Sequence, residues 1–395
     1  MSPTPIDRSP DLIRLRDEGY QVSLTTGQNH LLIDHVPYVD ASCGVRYGRF
    51  VCPLNLQGDV AQAPPDHVMH FAGDFPCHED GRPISEIQHG SGAFNLDGVL
   101  AQHSFSAKPP APFTNYYDKV TSYVRILASP AVVLDASARA CTFHVAANTD
   151  DALPFAYADT ATSRAGISEP TSRLIGKKIA IVGIGGTGSF VLDLVAKTPV
   201  SEIHLYDADM FTQHNAFRSP GAADIALWQA EAPEVYKADH FAEVYSRLHL
   251  GIVPHRQLLD ASNVAELGEM DFVFLCVDDG GAKRIVIEYL RTVGVPLVDV
   301  GMGLILESGK IFGCARVTTV TDAHHDHVND RISFGVGDPD DVYAQNIQVA
   351  DINALNAALA VIKWKKLMGF YDDQENEHHS AYIIYSNNIS NAELE

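Results

Sequence analysis

The chain has 395 residues, 46% of them hydrophobic, and its 50 acidic and 28 basic residues give a formal net charge of −22. Such a charge repels nucleic acid and anionic lipid, so the composition argues against non-specific binding to either polyanion. The length suits two domains. Because no targeting segment is seen and the apolar runs fall short of the ~20 residues of a membrane span, we expect a cytoplasmic protein with no membrane partner.

Residues 1–165 predict a smaller α+β domain. DLIRLRDEG has helical spacing, and YQVSLTT and HLLIDHV flank a GQN turn as the strands of a hairpin do. YGRFVCPLNL and DHVMHFAG are further strand candidates, and YYDKVTSYVRIL places its apolar residues at helical intervals. These patterns assign no chemistry to the domain.

Residues 166–395 predict a different architecture. From Ile179 onward, strands and helices alternate in the order IAIVGIG, TGSFVLDLVAK, EIHLYD, YKADHFAEVYSRLHL, DFVFLCV, AKRIVIEYLRTVG and PLVDVG. Such alternation predicts an α/β fold with a Rossmann-like, mostly parallel sheet and helices on both faces. A strand KIFGCARVTTV, a polar loop over residues 321–344, a helix ADINALNAALAVIKWKKLMG that ends at Gly369, and a closing strand HHSAYIIYSNN follow.

A glycine-rich turn, GIGGTG, joins the first of these strands to the first helix and contains Gly183, Gly185, Gly186 and Gly188. In that setting glycines permit a tight turn and let phosphates approach the helix N-terminus. Asp207 stands nineteen residues after Gly188 at the end of the next strand, where an acid accepts ribose hydroxyls. These features alone suit an NAD enzyme as well as other nucleotide-binding proteins.

Three more polar residues follow Asp207 in D-x-D-x5-N-x2-R spacing, namely Asp209, Asn215 and Arg218. Lys237 then begins a predicted helix, and Asp278 ends the strand DFVFLCV. Because the carboxyl ends of parallel strands meet at one edge of a sheet, we expect the acids and the glycine turn to converge there. Two cations and a third acid fit ATP with a divalent metal better than they fit NAD. NAD has only a diphosphate, which the N–H groups of the protein backbone can bind without added cations.

Residues 175–370 resemble the adenylating domain of the ThiF/MoeB/HesA family, which includes ubiquitin-activating enzymes. GIGGTGS resembles the family's GxGGxGS, YDADMFTQHNAFR its D-x-D-x-V-x-x-S-N-L-x-R, YKA its K-A helix start, LCVDD its T-D-N strand end, and VPLVDVGMGLILESGKIFG its P-L-x-x-x-x-x-G-x-x-G-x-V segment. HVPYV, FAGDFPC and HSFSAKP resemble an N-terminal domain of unknown function that precedes ThiF-like domains in bacteria. The resemblance implies ATP-dependent adenylation of the C-terminal glycine carboxylate of a ubiquitin-like or sulfur-carrier protein, in a bacterial conjugation pathway.

The same resemblance assigns roles to single residues. Asp209 would hold the ribose, Asn215, Arg218 and Lys237 the phosphates, and Asp278 the magnesium, so that Arg218, Lys237 and Asp278 are the expected catalytic residues. Arg164 stands where dimeric members carry an arginine that reaches the neighbouring subunit's ATP, which implies a homodimer; a surface arginine is the alternative. The sequence departs from the family at His214, Ala216 and Asp279, which leaves the details of the substrate open.

The six cysteines are scattered without a CxxC pair, so we interpret them as buried free thiols. The crossover loop over residues 321–344, where family members carry a thioester cysteine, has none. We therefore expect adenylation alone, with the activated carboxylate passed to an acceptor or to a conjugating-enzyme-like protein. Cys314 is expected in the core, whereas Cys77 could be a structural residue or a thioester acceptor.

Several other residues are interpreted without a ligand. His324, His325 and His327 predict a solvated loop rather than a metal site. Lys283 and Arg284 are interpreted as exposed helix cations, although a lysine or arginine there also matches a basic position that is usual in the family. In the last helix, a core stripe is predicted at Leu355, Leu359, Ile362 and Trp364, and capping at Asp351 and Asn353. An NAD(P)-dependent oxidoreductase and a catalytically inactive nucleotide-binding scaffold stay open as alternatives.

Overall fold

The computed structural model describes residues 5–143, 153–229, 233–334 and 347–392. The chain forms two compact units, one from Met1–Asp151 with Tyr157–Gly166 and the other from Ala152–Ala156 with Ile167–Glu395. Of the helices within the described ranges, none combines the length and the apolar character needed to cross a membrane.

The first unit is built on an antiparallel sheet. Its elements are α1 (Pro5–Arg8), α2 (Pro10–Asp17), β1 (Gln21–Leu24), β2 (His30–Val39), β3 (Val45–Pro53), β4 (Leu56–Gln57), β5 (Val60–Ala61), β6 (Val68–Ala72), β7 (Gln88–Leu96), β8 (Val99–Ser106), α3 (Tyr116–Leu134) and α4 (Thr160–Ala165). Six strands pair in the order β1-β2-β3-β6-β8-β7, and the predicted hairpin of β1 and β2 is confirmed. The core forms between this sheet and α3, where Phe50, Phe71 and Tyr123 are buried.

The second unit has the Rossmann-like fold that the alternating pattern predicts. Its elements are α5 (Ser168–Ser172), β9 (Lys178–Val182), α6 (Gly186–Val195), β10 (Glu202–Tyr206), α7 (Gln213–Ala216), α8 (Lys237–Tyr245), β11 (Ile252–His255), β12 (Phe272–Leu275), α9 (Gly280–Val293), β13 (Leu297–Glu307), β14 (Lys310–Val320), α10 (Val328–Arg331), α11 (Ala350–Leu367), β15 (His379–Ile383) and β16 (Asn388–Ala392). The sheet order is β11-β10-β9-β12-β13-β14-β15-β16. The pairs from β11 to β13 are parallel and those from β13 to β16 are antiparallel.

Helices cover both faces of this sheet, which explains why its central strands are apolar throughout. One core contains residues of α6, α8 and α11, and the other contains residues of α9 and α10. Strand β12 is buried along its whole length. The sequence did not predict β11, a short edge strand that contains Pro254.

The predicted core stripe of α11 is correct for Trp364, which is completely buried, and in part for Leu359, which packs against the same core. Leu355 and Leu359 are half-buried and Ile362 is 43% exposed. The buried face instead contains Asn353 and Asn356, with Ala357, Ala360 and Val361. The helix is therefore rotated relative to the prediction, because two asparagines make polar contacts inside the unit.

Candidate functional site

A cavity of about 780 Å³ lies in the second unit at the carboxyl ends of the parallel strands. Of the residues that the sequence assigned to nucleotide or metal binding, eight line it: Gly183, Gly185, Gly186, Asp207, Asp209, Arg218, Lys237 and Asp278. The segment after β11, Gln257 to Asp260, also contributes, as do Met302 of β13 and Arg316 of β14. The acids, the cations and the glycine turn thus meet at one sheet edge.

The glycine turn has no space for side chains at three of its positions. Gly183 has a φ of +87°, in the left-handed region that favours glycine. A Cβ on Gly188 would lie 1.9 Å from the carbonyl oxygen of Gly183, and a Cβ on Gly186 would lie 2.1 Å from Nδ2 of Asn353. At Gly185 the corresponding position is open. The turn is therefore tightly packed from within, and its one uncrowded glycine lies at the cavity.

Asp207 joins the glycine turn to the loop after β10. The carboxylate accepts the backbone N–H of Ile184 at 2.8 Å through Oδ2 and that of Asp209 at 2.8 Å through Oδ1. The side chain is buried, and burial raises its pKa while the charge of Lys237 opposes that shift. Each carboxylate oxygen thus already accepts one backbone donor, and the contact of Asp207 with a ribose stays a prediction.

Lys237 forms ion pairs with both aspartates. Its Nζ lies 2.6 Å from Asp209 Oδ2 and 3.7 Å from Asp207 Oδ1, and the lysine side chain is only 9% exposed. The Asp209 side chain is 70% exposed, although its carbonyl accepts the backbone N–H of Lys237 at 2.9 Å. Asp209 is consequently the acid of this loop whose side chain is accessible to a ligand, and Lys237 brings a buried cation next to it.

Arg218 and Asn215 take different positions. Arg218 lines the cavity, and its Nε is buried without a hydrogen-bond partner in the described ranges. A buried guanidinium nitrogen of this kind calls for an acceptor. Asn215 does not line the cavity; its Oδ1 accepts the backbone N–H of Thr212 at 2.8 Å and caps the short helix α7. Its contact with a phosphate stays a prediction.

Asp278 lies at the end of β12 with an exposed side chain. Asp279, where the family has asparagine, accepts the backbone N–H of Ala282 at 2.6 Å and caps α9. That departure therefore preserves a cap. Cys276 precedes these two acids in the chain, and burial raises the pKa of its thiol.

Two side chains differ from their interpretation. Lys283 is not exposed; it is buried and its Nζ lies 2.5 Å from Oδ1 of Asp299, which is also buried. Asn353 does not cap α11; its Oδ1 accepts the hydroxyl of Thr187 at 3.2 Å, and its Nδ2 donates to the carbonyl of Arg218 at 3.1 Å. In each case a polar partner distant in sequence draws the side chain inward. Arg284 is exposed as predicted.

The cysteines and histidines also differ in part from expectation. All six cysteines are free, but only Cys52 and Cys77 are buried; Cys43 is exposed, and Cys141, Cys276 and Cys314 are intermediate. Cys314 therefore lies on a strand without belonging to the core. Burial raises the pKa of Cys77, which makes it a weak nucleophile.

The histidine loop is only partly solvated. His327 is buried and its Nε2 lies 2.8 Å from the carbonyl oxygen of Thr319, whereas His324 and His325 are less buried. In the described ranges no group of three or more His, Cys, Asp or Glu residues could hold a metal ion. Residues 335–344 of the predicted loop lie outside the described residues. Arg164 is exposed on α4 of the first unit.

Sequence reasoning missed three residues near the cavity, Asp299, Arg316 and Asn356, and it interpreted a fourth, Asn353, as a helix cap. Asp299, Arg316 and the two asparagines belong to strands and a helix whose pattern indicated core, and each stands singly among apolar or small neighbours. One signal was available, because an acid in the apolar run PLVDVG and an arginine in CARVTTV require partners when they are buried.

Two family models match the chain. The family model of ThiF matches residues 161–386, and that of a domain of unknown function (DUF6791) matches residues 10–160. No curated protein matches the chain.

Solved structures of low identity match the chain in part. E. coli MccB with ATP is similar at 16% identity, with a TM-score of 0.42, over 56% of this chain and 65% of that one. The microcin C7 biosynthetic enzyme MccB in complex with N-formylated MccA matches at 16% identity, with a TM-score of 0.44, over 56% and 66%. PaaA matches at 18% identity, with a TM-score of 0.43, over 57% of this chain and 75% of that one. The chain thus spans about 65% of the length of MccB.

Proposed function

The chain belongs to the ThiF family, and on that premise we propose that it is an ATP-dependent adenylyltransferase. Its substrate is the C-terminal glycine carboxylate of a ubiquitin-like or sulfur-carrier protein in a bacterial conjugation pathway. A carboxylate oxygen attacks the α-phosphorus of ATP, the bond from that phosphorus to the bridging oxygen breaks, and pyrophosphate leaves with the electron pair. The observation that carries the proposal is the single cavity lined by the glycine turn, Asp209, Arg218, Lys237 and Asp278.

The chain's own residues suit a nucleotide triphosphate. The turn excludes side chains at Gly183, Gly186 and Gly188, beside the start of α6, where backbone N–H groups bind phosphates. Arg218 supplies a guanidinium whose Nε is buried and has no hydrogen-bond partner in the described ranges, and Lys237 adds a second cation. Fixed cations at this place lower the barrier because they neutralise the charge that builds on the leaving pyrophosphate. Asp209 accepts the ribose hydroxyls.

Asp278 fits a magnesium site of the kind that one or two carboxylates form together with substrate phosphates. The side chain is exposed and lines the cavity beside the glycine turn. Mg²⁺ supplies neutralisation of phosphate charge when it is bound. The role of Asp278 is to hold the ion at the end of β12.

The activated carboxylate is then transferred from the adenylate to an acceptor, without a thioester on a cysteine of this chain. Cys77 is buried, and residues 321–344, the expected crossover loop, contain no cysteine. The acceptor is a small nucleophile or the cysteine of a conjugating-enzyme-like protein.

The active form is a homodimer in which Arg164 reaches the neighbouring subunit's ATP. The exposed side chain of Arg164 on α4 is compatible with that role.

ATP–pyrophosphate exchange with a glycine-terminated ubiquitin-like protein tests this proposal. The unmodified chain should catalyse partner-dependent exchange, and Arg218→Gln and Asp278→Asn should each reduce it at least ~100-fold. Arg284→Gln is the matched control, because Arg284 is an exposed cation of α9 that does not line the cavity. Exchange that survives in both site variants would contradict the proposed mechanism.

Thermal stabilisation separates the alternatives. A ligand at 100 times its dissociation constant adds ~2.7 kcal/mol of stability, so Mg-ATP should raise the melting temperature of the second unit. Stabilisation by NAD or NADP alone would favour an oxidoreductase. Stabilisation by ATP without exchange for any glycine-terminated partner would favour a nucleotide-binding scaffold.

A further inference from the structure

The β13–β14 end of the cavity contains polar groups that the nucleotide does not require. Arg316 of β14 and Asn356 of α11 line it, and both pack on Gly301 of β13. Asn356 donates through Nδ2 to the carbonyl of Gly301 at 3.0 Å. A Cβ on Gly301 would lie 2.4 Å from Nε of Arg316, so the absent side chain provides the space in which the guanidinium lies.

Both side chains have unused hydrogen-bonding atoms. Arg316 Nε and Asn356 Oδ1 are buried and have no partner in the part of the chain that the structure describes. The other cation at this end, Lys283, is paired with Asp299. Buried polar atoms without a partner are destabilising unless a ligand satisfies them. Arg316 thus presents a donor and a positive charge, and Asn356 presents an acceptor.

The position of Arg316 and Asn356 favours contact with the carboxylate substrate over contact with the phosphates of ATP. In the order β9-β12-β13-β14, Arg316 stands three inter-strand spacings, roughly 14 Å, from the strand that precedes the glycine turn. Asp209, the expected ribose ligand, follows β10 on the other side of that strand. The nucleotide therefore occupies the β10–β9–β12 part of the cavity, and the β13–β14 part is left for the other reactant.

We propose that Arg316 and Asn356 form the subsite that binds the terminal residue of the carboxylate substrate. The Arg316 guanidinium holds one carboxylate oxygen and leaves the other directed at the nucleotide, while Asn356 Oδ1 accepts the backbone N–H of the same residue. A chain end carries both groups on one residue, and an arginine with a neighbouring amide oxygen matches that pair. This subsite deepens the proposed function and rests on it.

The test compares two synthetic octapeptides of one sequence that end in Gly-Gly, one as the free acid and the other as the C-terminal amide. Their affinities for the full chain are measured by calorimetry in the presence of Mg²⁺ and a non-hydrolysable ATP analogue. We expect the unmodified chain to bind the acid at least ~10-fold more tightly than the amide, since one charge-assisted contact is lost in the amide. Arg316→Gln should abolish that preference and leave the affinity for the ATP analogue within about twofold.

Arg331→Gln is the matched control, because Arg331 is an exposed arginine of α10 outside the cavity lining. It removes the same charge and should keep the preference for the acid. Asn356→Leu should weaken binding of the acid and the amide alike, because both peptides carry the same backbone N–H. Equal binding of acid and amide by the unmodified chain, or a preference that survives in Arg316→Gln, would overturn the subsite.

The nucleotide measurement separates this inference from the proposed function. A large loss of affinity for the ATP analogue in Arg316→Gln would make Arg316 a phosphate ligand and would also overturn the subsite. Absence of binding of any ATP analogue by the unmodified chain would instead remove the proposed function. Partner-dependent exchange with an unchanged KM for the partner in Arg316→Gln would leave the proposed function standing and refute the subsite alone.

Discussion

Removal of Lys283 should destabilise the second unit far more than removal of its neighbour Arg284. The Lys283 side chain is 5% exposed, its Nζ lies 2.5 Å from Asp299 Oδ1, and Asp299 is completely buried. Oδ2 of Asp299 has no hydrogen-bond partner in the described ranges, so Lys283→Met leaves a buried carboxylate without its counter-charge. Breaking a buried pair in this way costs ~3–5 kcal/mol, whereas an exposed cation such as Arg284 contributes at most ~1 kcal/mol.

Urea unfolding followed by tryptophan fluorescence measures this difference. Both tryptophans of the chain, Trp228 and Trp364, belong to the second unit, so the signal reports on that unit alone. With a slope of ~3 kcal/mol per molar urea, a loss of ~4 kcal/mol lowers the midpoint by more than ~1 M. The double change Lys283→Met with Asp299→Leu should recover most of the loss, since apolar replacement of a buried pair is often neutral.

The pH dependence of the single variant gives a second readout. Burial raises the pKa of Asp299, and the charge of Lys283 opposes that rise. In Lys283→Met the folded-state pKa should rise further above the unfolded value of ~3.9. A folded state that keeps the proton longer loses stability as the pH increases above that value, so the defect should grow from acidic to neutral pH. A loss no larger than that of Arg284→Met, or a defect independent of pH, would refute the assignment of a buried ion pair.

Three further outcomes are expected. Gly188→Ala should lower the melting temperature of the second unit, because the added Cβ would lie 1.9 Å from the Gly183 carbonyl oxygen. Gly185→Ala should keep the fold and weaken binding of Mg-ATP, because the Cβ position at Gly185 is open. Equal melting temperatures of the two variants would contradict the described packing of the turn. Asp209→Asn should weaken Mg-ATP binding roughly 10-fold in calorimetry with little effect on stability, since its side chain is 70% exposed. Cys77→Ser should leave partner-dependent exchange unchanged because the thiol is buried, and loss of a partner-linked thioester in this variant would show that Cys77 is the acceptor.

The fold of the second unit could be predicted because its signals are local. Apolar runs, glycine punctuation and helical spacing each concern a few consecutive residues, and all of the predicted strands from Ile179 to the closing strand are present. Strand β11 was missed because four residues that include Pro254 carry almost no pattern of their own. Its pairing with β10 makes it a strand.

The site could be predicted only where side chains follow strand ends. Asp207, Asp209 and Asp278 lie within three residues of the end of β10 or β12, so the topology alone places them at one sheet edge. Three other side chains have positions that depend on partners distant in sequence. Lys283 pairs with Asp299, Asn353 contacts the glycine turn, and Arg316 packs on Gly301. No periodicity reveals such pairs, which is why Lys283 and Asn353 were assigned to the wrong environment and Arg316 was not singled out.

The carboxylate of Asp207 has a consequence for the dynamics of the site. It accepts one hydrogen bond from a backbone N–H of the glycine turn and another from the backbone N–H of Asp209. One side chain therefore fixes two segments, which follow the strands β9 and β10. Their ordering entropy is lost when the sheet folds, before any ligand arrives. The amides of Ile184 and Asp209 should therefore exchange with deuterium together, in one opening event. A nucleotide would then bind to a rigid surface, and its affinity would not be reduced by the ordering of mobile loops.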